Sequence, residues 1–328
     1  MPSEKKGYKK NGKRQLTKKQ ATDIAKAVVK KEAKKKVELK FFNVEEHRSR
    51  TPRVVVGTNF SAIGFSSTNN DNSQGGVIQY PAGLDMYKLS GLRPFKGNSA
   101  PSQTRKYAIE GRECSPLSMK VNWCLNIEPK LNSIGLDAIG RAVAENGPVL
   151  CRMLQVVPKK YAGSQGTEPN PRVDLFTNKY GTAVGIDTLE TDEMDVMTFP
   201  VNVRRYKKER DIKFVIKPPW VANFVPTGHD GSDISEFIGQ IIPNTGRPEK
   251  RLTTYNQLAN KKGGKVYFED PNSSTTINPT SGHQRTYTLF HFQYLAARTY
   301  TDSTNGYSPT APNNLYMDVN LISRFTDQ

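Results

Sequence analysis

Cysteine is almost missing from this chain: Cys114, Cys124 and Cys151 are the three among 328 residues. An odd count without a CxxC pair argues against a disulfide framework and against a zinc knuckle. Such sparse thiols fit a reducing compartment, cytosol or nucleus. Histidine is nearly as scarce, and His47, His229, His283 and His291 do not stand at metal-ligand spacing. No apolar run reaches the ~18 residues of a membrane helix. The basic N-terminus is not followed by the apolar stretch of a secretory signal. No phosphate loop, no GxGxxG after a strand, no HExxH and no GxSxG occurs. Helical periodicity is rare too. In the body only Leu136–Glu145 (LDAIGRAVAE) and the weaker Ser232–Ile241 show it, and neither recurs on a βαβ schedule, which argues against a parallel doubly wound sheet.

What is present is positive charge, 48 Lys and Arg against 31 Asp and Glu, a net +17. It is unevenly placed. Residues 1–36 hold 13 Lys and Arg14 against Glu4, Asp23 and Glu32, a net +11, and the other 292 residues hold 34 basic and 28 acidic side chains, a net +6. The chain therefore divides into a polycationic arm, 1–36, and a mildly basic body, 37–328. Lys5, Lys6, Lys9, Lys10, Lys13, Arg14, Lys18 and Lys19, followed by Lys30, Lys31, Lys34, Lys35 and Lys36, are the first candidates for contact with a polyanion. Residues 1–16 have no apolar period and should stay flexible until an anion neutralises them. Residues 17–36 carry a helical signal. Thr17 and Gln20 form a capping-box pattern, and Ala21, Ile24, Ala25 and Val28 follow i, i+3, i+4, i+7. Lys5–Arg14 and Lys30–Lys36 also have the composition of nuclear-import signals.

The body is 35% hydrophobic counted over the whole chain, with 14 Phe and 14 Tyr, enough to bury a core. Its clearest segment is Leu117–Ile127, where Leu117, Met119, Val121, Trp123, Leu125 and Ile127 alternate with Ser118, Lys120, Asn122, Cys124 and Asn126. Strict period-two alternation predicts a long half-buried strand. Leu315–Phe325 repeats it and Thr286–Leu295 is a third long strand. Shorter strands are expected at Val37–Phe42, Val54–Val56, Val149–Val157, Val201–Tyr206, Asp211–Lys217 and Gly264–Glu269, with Phe60–Phe65 and Arg105–Glu110 as further pairs. The expected total is about eight to ten strands. Long polar connections separate them, at Thr68–Gly76, Tyr161–Pro171, Phe224–Gly231, Asp270–Gly282 and Thr301–Asn314, and loops of that length usually act at a surface. The fold expected is all-β, a single antiparallel β-sandwich behind a basic arm.

Few residues suggest chemistry. His229-Asp230-Gly231-Ser232-Asp233 gathers a histidine, acids and a hydroxyl, but adjacency in sequence is not catalytic geometry. Asp187, Glu190, Asp192, Glu193 and Asp195 form one acidic run. It lacks the EF-hand spacing, so Asp187, Glu190 and Asp192 remain calcium candidates against a solvated loop or a subunit contact. Arg204, Arg205, Lys207, Lys208 and Arg210 form a basic run, read either as a solvated hairpin connection around Lys207–Arg210 or as a phosphate contact. Tyr287, Tyr294 and Tyr300 are candidates for base stacking, although strands favour tyrosine anyway. Trp123 and His291 read as core. No cofactor is expected.

In order along the chain, these segments resemble the capsid proteins of circular single-stranded DNA viruses that encode a replication initiator, the circovirus-like group. The Lys-rich arm runs into VELKFF at 37–42. NVRRYKKERDIKFVIKPP at 202–219, KKGGKVYFED at 261–270, SGHQRTYTLFHFQYL at 281–295 and the closing SRFTD at 323–327 carry the rest of the likeness. The arm departs from many relatives in being Lys-rich with a single Arg, which weighs against arginine-specific binding. The resemblance implies an eight-stranded jelly roll that self-assembles into an icosahedral shell, with the arm inside on the genome. It further implies a virion location, with the host nucleus or cytoplasm during assembly, and leaves any host receptor unidentified. About sixty copies would hold roughly 660 arm charges and about 180 copies roughly 2,000, against one phosphate charge per nucleotide. Three other readings stand beside it: a capsid of a small single-stranded RNA virus, a non-viral single-strand-binding protein, and a glycan hydrolase on a β-sandwich. The last needs a carboxylate pair, and Glu110, Glu113, Glu128 and Asp318 are the residues available.

Overall fold

The computed structural model describes residues 19, 21–28, 39–50, 52–54, 60–67, 78–79, 85–89, 91–92, 109, 111–127, 135–136, 142–143, 148–159, 169–185, 195–218, 220–226, 237–243, 247–268, 279–294, 312 and 314–327. The strands in chain order begin with β1 (Leu39–Arg50), β2 (Arg53–Val54), β3 (Phe60–Ser66), β4 (Ile78–Gln79), β5 (Asp85–Lys88), β6 (Glu113–Ile127), β7 (Gly135–Leu136), β8 (Ala142–Val143) and β9 (Val149–Pro158). They continue with β10 (Phe176–Thr177), β11 (Ala183–Val184), β12 (Tyr206–Ile216), β13 (Trp220–Pro226), β14 (Phe237–Pro243) and β15 (Glu249–Asn256). The last are β16 (Val266–Phe268), β17 (Pro279–Ser281), β18 (Tyr287–Tyr294) and β19 (Leu315–Asp327). The helices among the described residues are α1, described at residues 19 and 21–28, and the short α2 (Pro171–Asp174) and α3 (Asp195–Thr198). The chain is all-β and mainly antiparallel, as its alternation predicts. Among the described residues there are nineteen strands, more than expected, because short pairs in the connections add to the long strands.

Two large sheets face each other. In the first, β1 lies beside β19, β19 beside β6, and β6 beside both β15 and the β16–β17 pair; in the second the order is β12-β9-β18-β3-β5-β4, with β2 also on β3. The inner faces meet in one core, where Val121, Trp123, Leu125, Val319 and Leu321 pack with Ile63, Phe65, Cys151, Met153, Phe290 and Phe292. Trp123 sits edge-on to Phe65 at 4.8 Å and to Phe290 at 5.1 Å, and its indole Nε1 donates to Thr254 Oγ1 at 2.9 Å. Such aromatic contacts add to the area that the rings bury.

The first sheet keeps the predicted alternation, with one correction. Met119 to Ile127 alternate inward and outward, but Leu117 is 58% exposed although it belongs to the apolar series. Its partner strand explains this. Arg324 pairs Ser118 while Phe325 pairs Pro116, so Leu117 is the extra residue of a β-bulge. The bulge resets the side-chain period and turns Cys114 and Pro116 inward instead. A bulge is also where a sheet tolerates proline.

The second sheet does not alternate, because both its faces are covered. Every residue of β3 and of β18 is buried. Residues 169–185 and 195–206 fold over the outer face, where Leu175, Phe176, Val196, Met197 and Val201 pack on Phe60, Ala62, Leu154, Val156 and Leu289. Arg152 of β9 fastens this cover from beneath. Its Nε and NH2 donate to the two carboxylate oxygens of Asp211 at 3.0 and 2.9 Å, and its NH1 donates to the carbonyls of Val196 and Phe199 at 2.8 and 2.9 Å. Burial pushes the Asp211 carboxyl up. The hydrogen bonds and charge of Arg152, aided by Lys208 and Lys213, outweigh it and hold the group below the usual carboxylate range.

Four other expectations need correction. Of the expected helix Leu136–Glu145, the described Leu136, Ala142 and Val143 lie instead in the antiparallel pair β7–β8, with Gly140, a poor helix residue, between them in sequence. Ser232–Ile241 ends in strand β14, whose Phe237, Ile238, Ile241 and Ile242 favour a pleated pair with β13. That pairing also puts Phe224 to Pro226 in a strand rather than a loop. Val201–Tyr206 is a turn: the Asn202 side chain accepts from the Arg204 N–H at 3.1 Å, and its carbonyl accepts from Arg205 and Tyr206.

Arg152→Ala should destabilise the fold by about 3–5 kcal/mol, because it leaves Asp211 and two buried carbonyls unpaired. Chemical denaturation checks this, and a loss below ~1 kcal/mol would show that the cover is held elsewhere. Acid should destabilise the fold as well. Burial, then the charge of Arg152, pushes the His291 imidazole from 6.5 down to about 3, and burial, then Arg285, pushes His283 down to about 4. The unfolded chain binds protons near pH 6.5 where the folded one does not, so stability present above that value is lost as pH falls toward the folded values. A melting series over that range should decline steadily, and His291→Leu should flatten the decline.

Candidate nucleic-acid interface

Of the arm residues singled out above, Lys19 is described and exposed. Lys5, Lys6, Lys9, Lys10, Lys13, Arg14, Lys18, Lys30, Lys31, Lys34, Lys35 and Lys36 lie outside the described residues, as do Thr17 and Gln20 of the capping pattern. The predicted helix is present as α1, and its apolar stripe is open to solvent, with Ile24 and Val28 about half exposed. At the start of β1 the polarity inverts. Leu39 and Phe41 point outward, while Lys40 turns inward, is buried, and donates to Asp327 Oδ2 at 3.0 Å. The arm therefore leaves the body beside the last residues of β19.

The basic run at 204–210 is not a hairpin connection. Lys207 to Arg210 lie within β12, paired with β9, and a bulge interrupts the register between Lys208 and Arg210. Pairing and bulge divide the cations among different partners. Arg205 donates through Nε to Asp174 Oδ2 at 2.7 Å, and the same carboxylate accepts from the Tyr206 hydroxyl at 2.5 Å. Desolvation, then that hydrogen bond, pushes the Tyr206 hydroxyl pKa far up, so it stays a donor. Lys208 faces Asp211 at 3.8 Å and Arg210 donates to the Thr253 carbonyl at 2.9 Å. Lys207 is exposed and meets Glu209 at 2.6 Å. Arg204 is exposed on the turn. The five residues thus form no single cationic surface: Arg205 ties a turn together, and Arg204 and Lys207 face solvent.

Sequence reasoning missed a cavity at the edge of the sandwich. It measures about 350 Å³ and opens between the bulged part of β6, the end of β15 and strands β9 and β12. Lys207, Glu209, Lys261 and Lys262 are cations and an anion of its wall, Tyr255 stands beside them 60% exposed, and Gln155, Asn256 and Thr286 line it with buried polar side chains. The Gln155 amide donates to Asn256 Oδ1 and, at 3.2 Å, to the Tyr255 carbonyl, joining the two sheets under the cavity. Thr286 Oγ1 is buried without a partner. Lys261 and Lys262 are carried by a turn in which the Gly264 N–H donates to the Lys261 carbonyl at 2.8 Å and Gly263 takes φ +71°. The sequence signal was KKGG at 261–264, two lysines ahead of the glycine pair.

The remaining candidates separate. Tyr287 and Tyr294 are buried and unavailable for stacking, and Tyr300 lies outside the described residues; among the described residues Phe41, Tyr180, Tyr255 and Tyr267 are exposed aromatics. Asp187, Glu190, Asp192 and the His229–Asp233 cluster also lie outside the described residues, as do Glu110 and Glu128. Glu113 accepts from Lys265 at 2.6 Å. Asp318 lies opposite Cys124 on β6, eleven residues from Glu113, a separation of roughly 35 Å along a strand, far beyond a hydrolase pair. Trp123 and His291 are core residues, as expected. The cysteines are free, and burial pushes the thiols of Cys114 and Cys151 up, which suits packing rather than reactivity.

Arg205→Ala should cost about 1–3 kcal/mol of stability through loss of its charged hydrogen bond, whereas Arg204→Ala should change stability by less than ~0.5 kcal/mol. Paired denaturation curves check this, and equal effects would overturn the division of the run. Comparison of the chain with protein-family models and with curated proteins finds no match.

Proposed function

We propose that the chain is a viral capsid protein that self-assembles into an icosahedral shell and packages a single-stranded DNA genome through its Lys-rich arm. The observation that carries this reading is the order of the long strands. Taken along the chain, β1, β3, β6, β9, β12, β15, β18 and β19 are shared between the sheets as β1-β19-β6-β15 and β3-β18-β9-β12. This interleaving is what two Greek keys wound together produce, which supports an eight-stranded jelly roll. Jelly rolls also serve lectins and cupins, so the fold alone does not choose among them. The arm supports the choice: +11 in residues 1–36 ahead of such a domain is suited to neutralising phosphates by counterion release. Arg204 and Lys207, exposed on the body, would add to that charge.

Electron microscopy of the expressed full chain tests the proposal. Closed particles that contain nucleic acid are expected, and removal of residues 1–36 should strip most of it. Binding of the full chain to single strands should weaken steeply with salt and vary little with sequence. A stable monomer at every salt concentration and pH would overturn the reading. Sequencing of the packaged strand decides between DNA and RNA, because lysines do not read the 2′-hydroxyl.

A further inference from the structure

The cavity beside β12 is unexplained by packaging through the arm. Its construction has three parts. The wall carries Lys207, Lys261 and Lys262 against Glu209, an excess of cations. No ion pair to Lys261 or Lys262 occurs among the described residues. The interior is lined by neutral polar groups: the Gln155 amide, bonded to Asn256 Oδ1 and the Tyr255 carbonyl, and the Thr286 hydroxyl, whose oxygen is buried without a partner. The mouth carries an exposed aromatic ring, Tyr255.

We propose that this cavity holds one nucleotide of a single strand, with its phosphate on Lys261 and Lys262 and its base directed to the polar interior beside Tyr255. The inference rests on the packaging reading given above and adds a second, body-borne contact to it. Each part of the cavity answers a part of the ligand. Ammonium groups match a phosphate, amides and a hydroxyl match the edge of a base, and a tyrosine ring matches its face. A volume of about 350 Å³ lies at the small end of ligand sites, enough for one nucleotide and not for a helix of paired strands. An acidic peptide would satisfy the lysines but would not use the face of the Tyr255 ring. The rigid support suits a site. Gly282 at φ +79° lets the backbone pass where a Cβ would lie 2.0 Å from the Lys265 carbonyl, and the Asn260 and Gln284 N–H groups anchor the turn to Gly282 and Leu258.

Photocrosslinking of the full chain to a thymidylate decamer containing 4-thiothymidine, with the adducts mapped by mass spectrometry, tests this independently of assembly. Adducts are expected at Tyr255 or within residues 257–263, in addition to those of the arm. Lys261→Ala with Lys262→Ala should reduce the cavity adducts at least fivefold and leave the arm adducts unchanged, and Thr286→Val should reduce them also. Adducts confined to residues 1–36, or cavity adducts that persist in the double variant, overturn the proposal. So does protection of Lys261 and Lys262 from acetylation by a peptide of residues 187–195 but not by the decamer, which would assign the cavity to an acidic protein segment. Failure of the shell reading is seen separately, by microscopy.

Discussion

A single buried guanidinium holds the covered sheet together. Arg152 lies in the middle of the second sheet, 2% exposed, with its hydrogen bonds divided between Asp211 on the neighbouring strand and two carbonyls of the segment folded on top. The Phe176 ring lies 5.5 Å below its carbon centre. An unpaired charge at that depth would be prohibitive. Paired as it is, it fixes the cover in one place, because a shift of the cover would strand donors in an apolar layer. Buried ion pairs are weak sources of net stability but strong against alternatives in which one partner is missing. The consequence reaches the surface. The cover ends in the turn at Asn202, which sets the start of β12 and so the positions of Arg204 and Lys207.

Positive charge has two different uses in this chain. In the body, most described cations that approach the sandwich meet a carboxylate or a carbonyl: Lys40 with Asp327, Arg152 with Asp211, Arg205 with Asp174 and Lys265 with Glu113. These side chains position strands and turns. These pairs cancel cation against anion one for one, so the body's net +6 is carried by side chains outside them. Lys40 marks the change of use. It is the first described lysine after α1, and it is turned into the sheet, where it closes the gap between the first and last long strands.

How much of this was legible in the sequence depended on whether a strand had one wet face. Where it did, in β6 and β19, alternation named the inward residues from Met119 to Ile127 and from Leu315 to Leu321. Where a bulge intervened the period slipped, and Leu117 was misplaced because nothing local announces an extra residue except the neighbouring Pro116. Where the sheet was covered on both sides, β18 was legible as a strand from its aromatics, but its two faces were not distinguishable, because Tyr287 and Phe290 bury equally against different layers. The basic run was legible as charge but not as geometry. A run of four polar residues, Lys207 to Arg210, looks like a loop from sequence, and only pairing with Val156 and Val157 makes it a strand. The cavity was invisible for the same reason: its lining comes from segments a hundred or more residues apart, Pro116 to Met119 and Gln155 on one side and Tyr255 to Gly263 on the other.

The contrast between arm and body has a physical logic of its own. Residues 21–28 of α1 are exposed throughout, with the apolar stripe in water, and a helix without tertiary packing is marginal. Repulsion among its neighbouring lysines weakens it further, and an anion relieves that repulsion. On the proposed reading, order in the arm is coupled to neutralisation, as expected of a segment that folds on its partner. A fixed site in the body works the other way. Its amides and hydroxyl are already held by two packed sheets, so little ordering remains to oppose binding. On the proposed reading, a diffuse polycation captures a strand by charge, without regard to sequence, and a rigid cavity at the edge of the sandwich constrains where that strand runs. Many weak contacts linked through one assembly then act as an effective concentration rather than as separate affinities. That division requires the body to stay rigid while the arm does not, which is what a doubly covered sheet fastened by Arg152 provides.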